Sequence, residues 1–260
     1  TSLGSARILT GQIDDQTAAC LNRALGLAEQ IGDVPGQLRL IERIHLLQLF
    51  TSDLDVAVGT AKRGEALAAS SNDFAALARM QVSLGISCHY LGDVAAARSY
   101  IEAALSQPKP LETDIHSGLA FDYPQRAEIT LSRSLWLQGY PDQALEMARK
   151  AIAILLAVDQ PTNLCRALLW AFPVYYWNLE LENYEEHVDR LIIESRRHAL
   201  DAFQIFAGGM KGIALLARGE TDSALALLKR SVEKMQEFRF GAAAGFSGPF
   251  AVALAKTGQS

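Results

Sequence analysis

Leu84-Gly85-Ile86-Ser87-Cys88-His89-Tyr90-Leu91-Gly92-Asp93-Val94-Ala95-Ala96-Ala97 is the stretch whose reading decides the fold. Gly85 stands seven residues before the turn residue Gly92, and Ala97 stands five after it. Ile101 and Ala104 follow at helical spacing. A small residue on each side of the turn lets two antiparallel helices approach closely, and the large residue between fills the remaining space. Gly92 suits the left-handed cap that ends a helix, and Asp93 favours the start of the next.

The spacing returns along the chain. Gly212, Gly219, Ala224, Leu228 and Ser231 repeat it, and Ser132, Gly139, Ala144, Ala148 and Ala151 repeat it more loosely. His45, Ser52, Ala57, Ala61 and Gly64 form a weaker copy. Between Leu164 and Arg197 another pair fits if its turn lies near Glu182-Asn183, with His187 and Glu194 at its small positions. This is the tetratricopeptide pattern. Turns are expected near residues 12, 52, 92, 139, 182, 219 and 258, spaced more widely than the roughly 34 residues of the standard repeat. Apolar residues recur at three and four spacing almost throughout, as in Leu145, Ala148, Ile152 and Leu155, and no sustained apolar/polar alternation marks a strand. The expected fold is all-α: a right-handed superhelical solenoid of about six tetratricopeptide-like helix pairs with truncated ends, forming one repeat domain over residues 1–260.

Two stretches break the rhythm. Residues 106–124 read as a long, proline-rich connection carrying Asp114, His116 and Asp122, and residues 238–249, with three glycines and three phenylalanines, read as an irregular break before a helix from Phe250 to Lys256. Thr1-Ser2-Leu3-Gly4 has neither Met nor a signal pattern and reads as a cut into a longer chain.

Composition narrows the function. The net charge of -5 argues against a general nucleic-acid binder, which needs a basic face to displace counterions. No apolar run reaches transmembrane length. Cys20, Cys88 and Cys165 are few, odd in number and far apart, so they read as buried small hydrophobes in a reducing cytoplasm. The histidines His45, His89, His116, His187 and His198 lack metal-ligand spacing, and no nucleophile elbow or phosphate loop occurs. No catalytic residue, metal or cofactor is therefore assigned.

The concave side of such an array is the expected binding surface, and its A helices line it. Aligning the copies places Arg39, Arg79 and Arg126 at one level of successive A helices, with Arg43 and Arg133 about one turn along. Glu42, His89, Tyr90 and Trp136 share that side, and Phe172 and Tyr176 continue it. Arginine offers a planar fork for carboxylate or phosphate, and aromatics supply apolar area. The groove is expected to take an acidic peptide or protein partner, a neighbouring domain of the same polypeptide, or an anionic small ligand. The lysine and asparagine clamp of chaperone-binding repeats is not matched, because Val82 and Ile86 occupy two of its positions.

The segment Ser134-Leu135-Trp136-Leu137-Gln138-Gly139-Tyr140-Pro141-Asp142-Gln143-Ala144-Leu145 resembles a stretch in the C-terminal repeat region of large bacterial signalling ATPases. Tyr90–Arg98, Phe121-Asp122 and Ile213–Glu220 are similar to other parts of that region, so the resemblance spans roughly residues 14–260. In that family a winged-helix DNA-binding domain or a nucleotide cyclase precedes a nucleotide-binding switch domain, and the repeats come last. The resemblance implies a regulatory sensor arm in the cytoplasm of a bacterium, working on signalling or transcription. The alternative is a passive scaffold for homo-oligomerisation.

Overall fold

In a computed structural model the described residues are 15–51, 53–107, 123–158, 160–238 and 243–258. They form twelve helices and no strand. In chain order these are α1 (Asp15–Gln30), α2 (Val34–Thr51), α3 (Leu54–Ser70), α4 (Phe74–Tyr90), α5 (Val94–Ser106), α6 (Tyr123–Leu137), α7 (Pro141–Leu156), α8 (Pro161–Trp177), α9 (Leu181–Arg197), α10 (Asp201–Ala217), α11 (Thr221–Glu237) and α12 (Ala243–Lys256). Each helix packs on its neighbours in sequence, and α2, α4, α6 and α8 also touch along one side. This is the expected right-handed superhelical solenoid. Helices α2, α4, α6, α8 and α10 are the first (A) members of five complete hairpins, and among the described residues they are flanked by a B helix, α1, and an A helix, α12.

The small residues sit where the helices meet. Ala57, Ala97, Ala144 and Ala224 are fully buried just inside their B helices. A Cβ at Gly85 would lie 2.6 Å from Ile101 Cδ1, and one at Gly212 would lie 2.8 Å from Leu228 Cγ. Side chains at these levels would force the hairpins open. The turn at Gly92 closes with Asp93 N–H donating to the Cys88 carbonyl, and the Asp93 carboxylate then accepts from Ala96 N–H to cap α5.

The fourth hairpin departs from the expected register. Its turn is Asn178-Leu179-Glu180, three residues before Glu182. Leu179 takes the left-handed conformation (φ +57°) that glycine takes at 92, 139 and 219. The hydrogen bonds are equivalent: Leu179 N–H donates to the Tyr176 carbonyl and Glu180 N–H to that of Tyr175. Phe172 and Tyr184 therefore occupy the levels that are small in the second, third and fifth hairpins. Their rings meet edge to face at 6.1 Å, and the Tyr184 hydroxyl donates to the Met210 carbonyl at 2.7 Å.

Two other expectations change. The break at 238–249 is shorter than read, because α12 already runs from Ala243 with Pro249 inside it. Gly245, Gly248 and Pro249 are poor helix formers. Tertiary packing overrides them: Phe246 is buried against Phe172 and Phe206, and a Cβ at Gly209 would fall 2.7 Å from its ring. Of the cysteines, Cys165 is buried, with its thiol pushed up to about 12 by desolvation and then by Glu194, and Cys88 is half-buried. Cys20 is exposed, because it lies off the inward stripe of Thr17, Leu21, Leu25 and Ala28. Residues 108–122, including Asp114, His116 and Asp122, lie outside the described residues.

Leu179 is almost wholly exposed, so its side chain contributes little packing while its backbone is strained. Leu179→Gly should stabilise the fold by about 1 kcal/mol, as a rise in the denaturation midpoint without a change in slope.

Candidate ligand groove

With the fourth turn at Leu179, one level of the A helices becomes a continuous row. Arg39, Arg79, Arg126 and Arg166 each stand thirteen residues before their turn residue. Arg39 is exposed, Arg79 half-buried, and Arg126 and Arg166 are buried. Sequence reasoning missed Arg166, since a turn at Glu182 puts Leu169 at that level. The row stops at α10, where Phe206 takes the place.

Glu42 is the acid at the centre of this row. Its Oε2 lies 3.5 Å from Arg79 Nε, and its Oε1 lies 3.6 Å from Arg126 Nη1. The Arg126 guanidinium sits 5.6 Å from the centroid of the Trp170 ring, and its Nε and Nη2 are buried without a hydrogen-bond partner. Arg43 Nη1 is also buried and unpartnered. Desolvation lowers the pKa of Arg43 and Arg126, with Glu42 opposing the shift. Arg166 is pushed down to about 10 by desolvation and then by Arg126, again opposed by Glu42. At neutral pH all remain cationic, so this side of the groove holds more positive than negative charge in a low-dielectric setting.

Beside the row lies a cavity of about 460 Å³. Every A helix contributes to its wall: Leu46, Leu49 and Phe50 from α2, Tyr90 from α4, Arg133 from α6, Leu169 to Trp177 in part from α8, Phe206 and Ile213 from α10, and Gly245, Phe246 and Pro249 from α12. Leu54, at the start of α3, is the one lining residue from a B helix. Arg133 is its charged lining residue. The Arg133 guanidinium lies 5.1 Å from the Tyr90 ring centroid, and Nη1 donates to the Tyr90 hydroxyl at 3.1 Å. Arg133 Nε has no partner.

The expected groove residues thus divide. Tyr90, Arg133, Phe172 and Tyr176 line the cavity. Arg126 stands behind Trp170, and Arg79 and Arg43 belong to the row around Glu42. Arg43 and Arg133 do not share a level: they stand nine and six residues before their turns. Trp136 packs on Trp177 at 4.8 Å and reaches the cavity only through that ring. His89 turns inward, hydrogen-bonded through Nδ1 to Ser134 Oγ at 3.0 Å, so it supports the Tyr90 ring edge-on and is no part of the wall. Among the described residues there is no group of three or more histidines, cysteines and acids that could hold a metal ion. No described helix is long and apolar enough to cross a membrane.

No family model and no curated protein matches the sequence. Solved structures do match in fold. The apo form of RapI superposes with a TM-score of 0.64 at 15% identity, covering 92% of this chain and 82% of that one. NprR in complex with its cognate peptide NprX gives 0.64 at 14% identity, over 98% of this chain and 72% of that one. BtubC (BKLC) from P. vanneervenii gives 0.57 at 14% identity, over 85% and 89%. At these identities the likeness is one of fold: the chain is a tetratricopeptide-like helical repeat array.

Two histidines close to the row make the fold acid-sensitive. His45, bonded to Ser87 Oγ at 2.8 Å, is held down to about 3 by desolvation and then by Arg126, and His89 to about 3 by desolvation and then by Arg133. Both fold neutral. In the unfolded chain they take protons near 6.5, so stability is complete above that pH and falls as pH drops from about 6.5 towards 3. The expected loss is about 1.4 kcal/mol per pH unit per histidine. Urea titrations between pH 7 and pH 4.5 should show a shallower decline for His89→Gln than for the native chain, and parallel declines would contradict this assignment.

Proposed function

We propose that this chain is a non-catalytic interaction and sensor module that takes a protein or peptide partner in its concave groove. The observation that carries the reading is the cavity itself. A volume of about 460 Å³ lies within the range of ligand pockets, and its wall is assembled from all six A helices. Helices α2 and α12 lie at opposite ends of the row of A helices yet face the same space. An occupant that touches both has differential affinity for more closed and more open superhelices, which is the requirement for a binding event to be transmitted. NprR, of like fold, was crystallised with a cognate peptide, which supports a peptide as the class of occupant.

The resemblance of Ser134–Leu145 to the repeat region of bacterial signalling ATPases supports a finer reading: a regulatory arm of a larger signalling or transcription-regulating protein. Its partner is then a separate protein, a peptide, or another domain of the same polypeptide.

A random peptide display library selected on the chain tests the reading. Counter-selection uses Leu46→Trp, which places an indole in the cavity from a half-buried wall position. Enriched peptides should bind the native chain and lose about tenfold or more on Leu46→Trp, a difference of about 1.4 kcal/mol. Recovery of no peptide that distinguishes the two would count against the groove as a partner site.

A further inference from the structure

Prolines inside two A helices give the cavity a second kind of chemistry. Pro173 lies within α8 and Pro249 within α12. A proline has no N–H, so the helical hydrogen bond to the carbonyl four residues earlier is absent. Those carbonyls belong to Leu169 and Gly245. All four residues line the cavity. In each of these two helices proline thus removes the usual helical donor to a carbonyl, and the residue that carries that carbonyl lies on the wall of one apolar space. An acceptor in such a place is costly until a donor reaches it.

The cation at the edge is complementary in kind. Arg133 lines the same space with Nε unpartnered, and the buried Arg126 stands behind the Trp170 wall with two unpartnered nitrogens. A hydrocarbon acid would answer Arg133 but not the carbonyls, and a neutral apolar molecule would answer neither. A peptide answers all three, with an apolar side chain for the cavity, N–H groups for the carbonyls and a carboxylate for the arginine.

Building on the reading of the groove as a partner site, we propose that its occupant is a peptide segment with one large apolar side chain in the cavity, an adjoining acidic residue against Arg133, and backbone N–H groups donating to the carbonyls of Leu169 and Gly245. The segment lies across the interior from α8 to α12, and its acidic flank runs toward the Arg126 row.

Fluorescence anisotropy with defined octapeptides tests this. The probe carries one phenylalanine flanked by aspartates. Controls replace the aspartates by asparagines, the phenylalanine by glycine, or the central amide hydrogens by N-methyl groups. The probe should bind about tenfold tighter than each control. The aspartate advantage should vanish in Arg133→Gln and shrink with added salt on the native chain. Pro173→Ala restores a helical donor to Leu169, so it should weaken the probe several-fold while leaving the thermal midpoint equal or higher, an outcome that loss of structure cannot mimic. Equal binding of the N-methylated peptide, or unchanged affinity in both Pro173→Ala and Pro249→Ala, would overturn the carbonyl contacts. Equal binding of the asparagine peptide would overturn the acidic pairing. Binding of decanoate with no binding of any octapeptide would overturn the peptide as occupant. Display-selected peptides that are lost on Leu46→Trp but lack an acidic-apolar pair would sink this inference and leave the partner site standing.

Discussion

Close approach of the two helices in each hairpin is the constraint on which the structure depends. In the second, third and fifth hairpins it rests on a small residue seven places before the turn and another five places after it, with a left-handed glycine between them. Where both are small, as at Gly85 and Ala97 or Gly212 and Ala224, the hairpin closes and its A helix presents one stripe to the interior. The stripe then faces the same way in every repeat. A groove follows from this geometry before any particular side chain is chosen to line it.

The fourth hairpin keeps the turn and gives up the small residues. Phe172 and Tyr184 meet where the second, third and fifth hairpins place glycine, serine or alanine. The rings do not stop at the hairpin seam, because Phe172 also stacks on Phe246 and lines the cavity. One substitution class thus serves two levels of structure. It fills the seam of α8 and α9, and it supplies the aromatic wall against which α12 can form despite its glycines and proline.

Most of the array is legible in the sequence because glycine marks a left-handed residue, and four of the turns of this pattern carry one. Leu179 is not legible in that way. A leucine at positive φ has no compositional signature, so the turn is drawn to the next polar pair, Glu182-Asn183. The three-residue slip then assigns His187 and Glu194 to small positions and removes Arg166 from its row. With the register corrected, Tyr184 and Leu191 fall at those two levels, Val188 takes the large level between them, and all three are buried. The groove arginines are legible as a spacing, but which of them reach the cavity is not. That depends on rotamers and on the neighbouring helix, as the contrast between Arg126 behind Trp170 and Arg133 at the wall shows. The contribution of Phe246 is equally silent, since its segment reads as an irregular break until Gly209 is seen to make room for the ring.

The arginine row is costly to hold. Buried guanidinium nitrogens without partners cost roughly 1–3 kcal/mol each, and a buried ion pair is often no better than an apolar replacement of similar size. The protein contains its own control for whether the solenoid needs arginine at that level. In α10 the equivalent position is Phe206, buried among apolar neighbours, and the hairpin it belongs to closes like the others. An apolar residue therefore satisfies the packing. The charge of Arg126 and its neighbours is not a requirement of the repeat, and its cost is offset within this chain in part by Glu42 and the Trp170 ring. The donor capacity left over, on Nε and Nη2 of Arg126 and Nη1 of Arg43, is buried, so the cost of these nitrogens is carried inside the array rather than relieved by water.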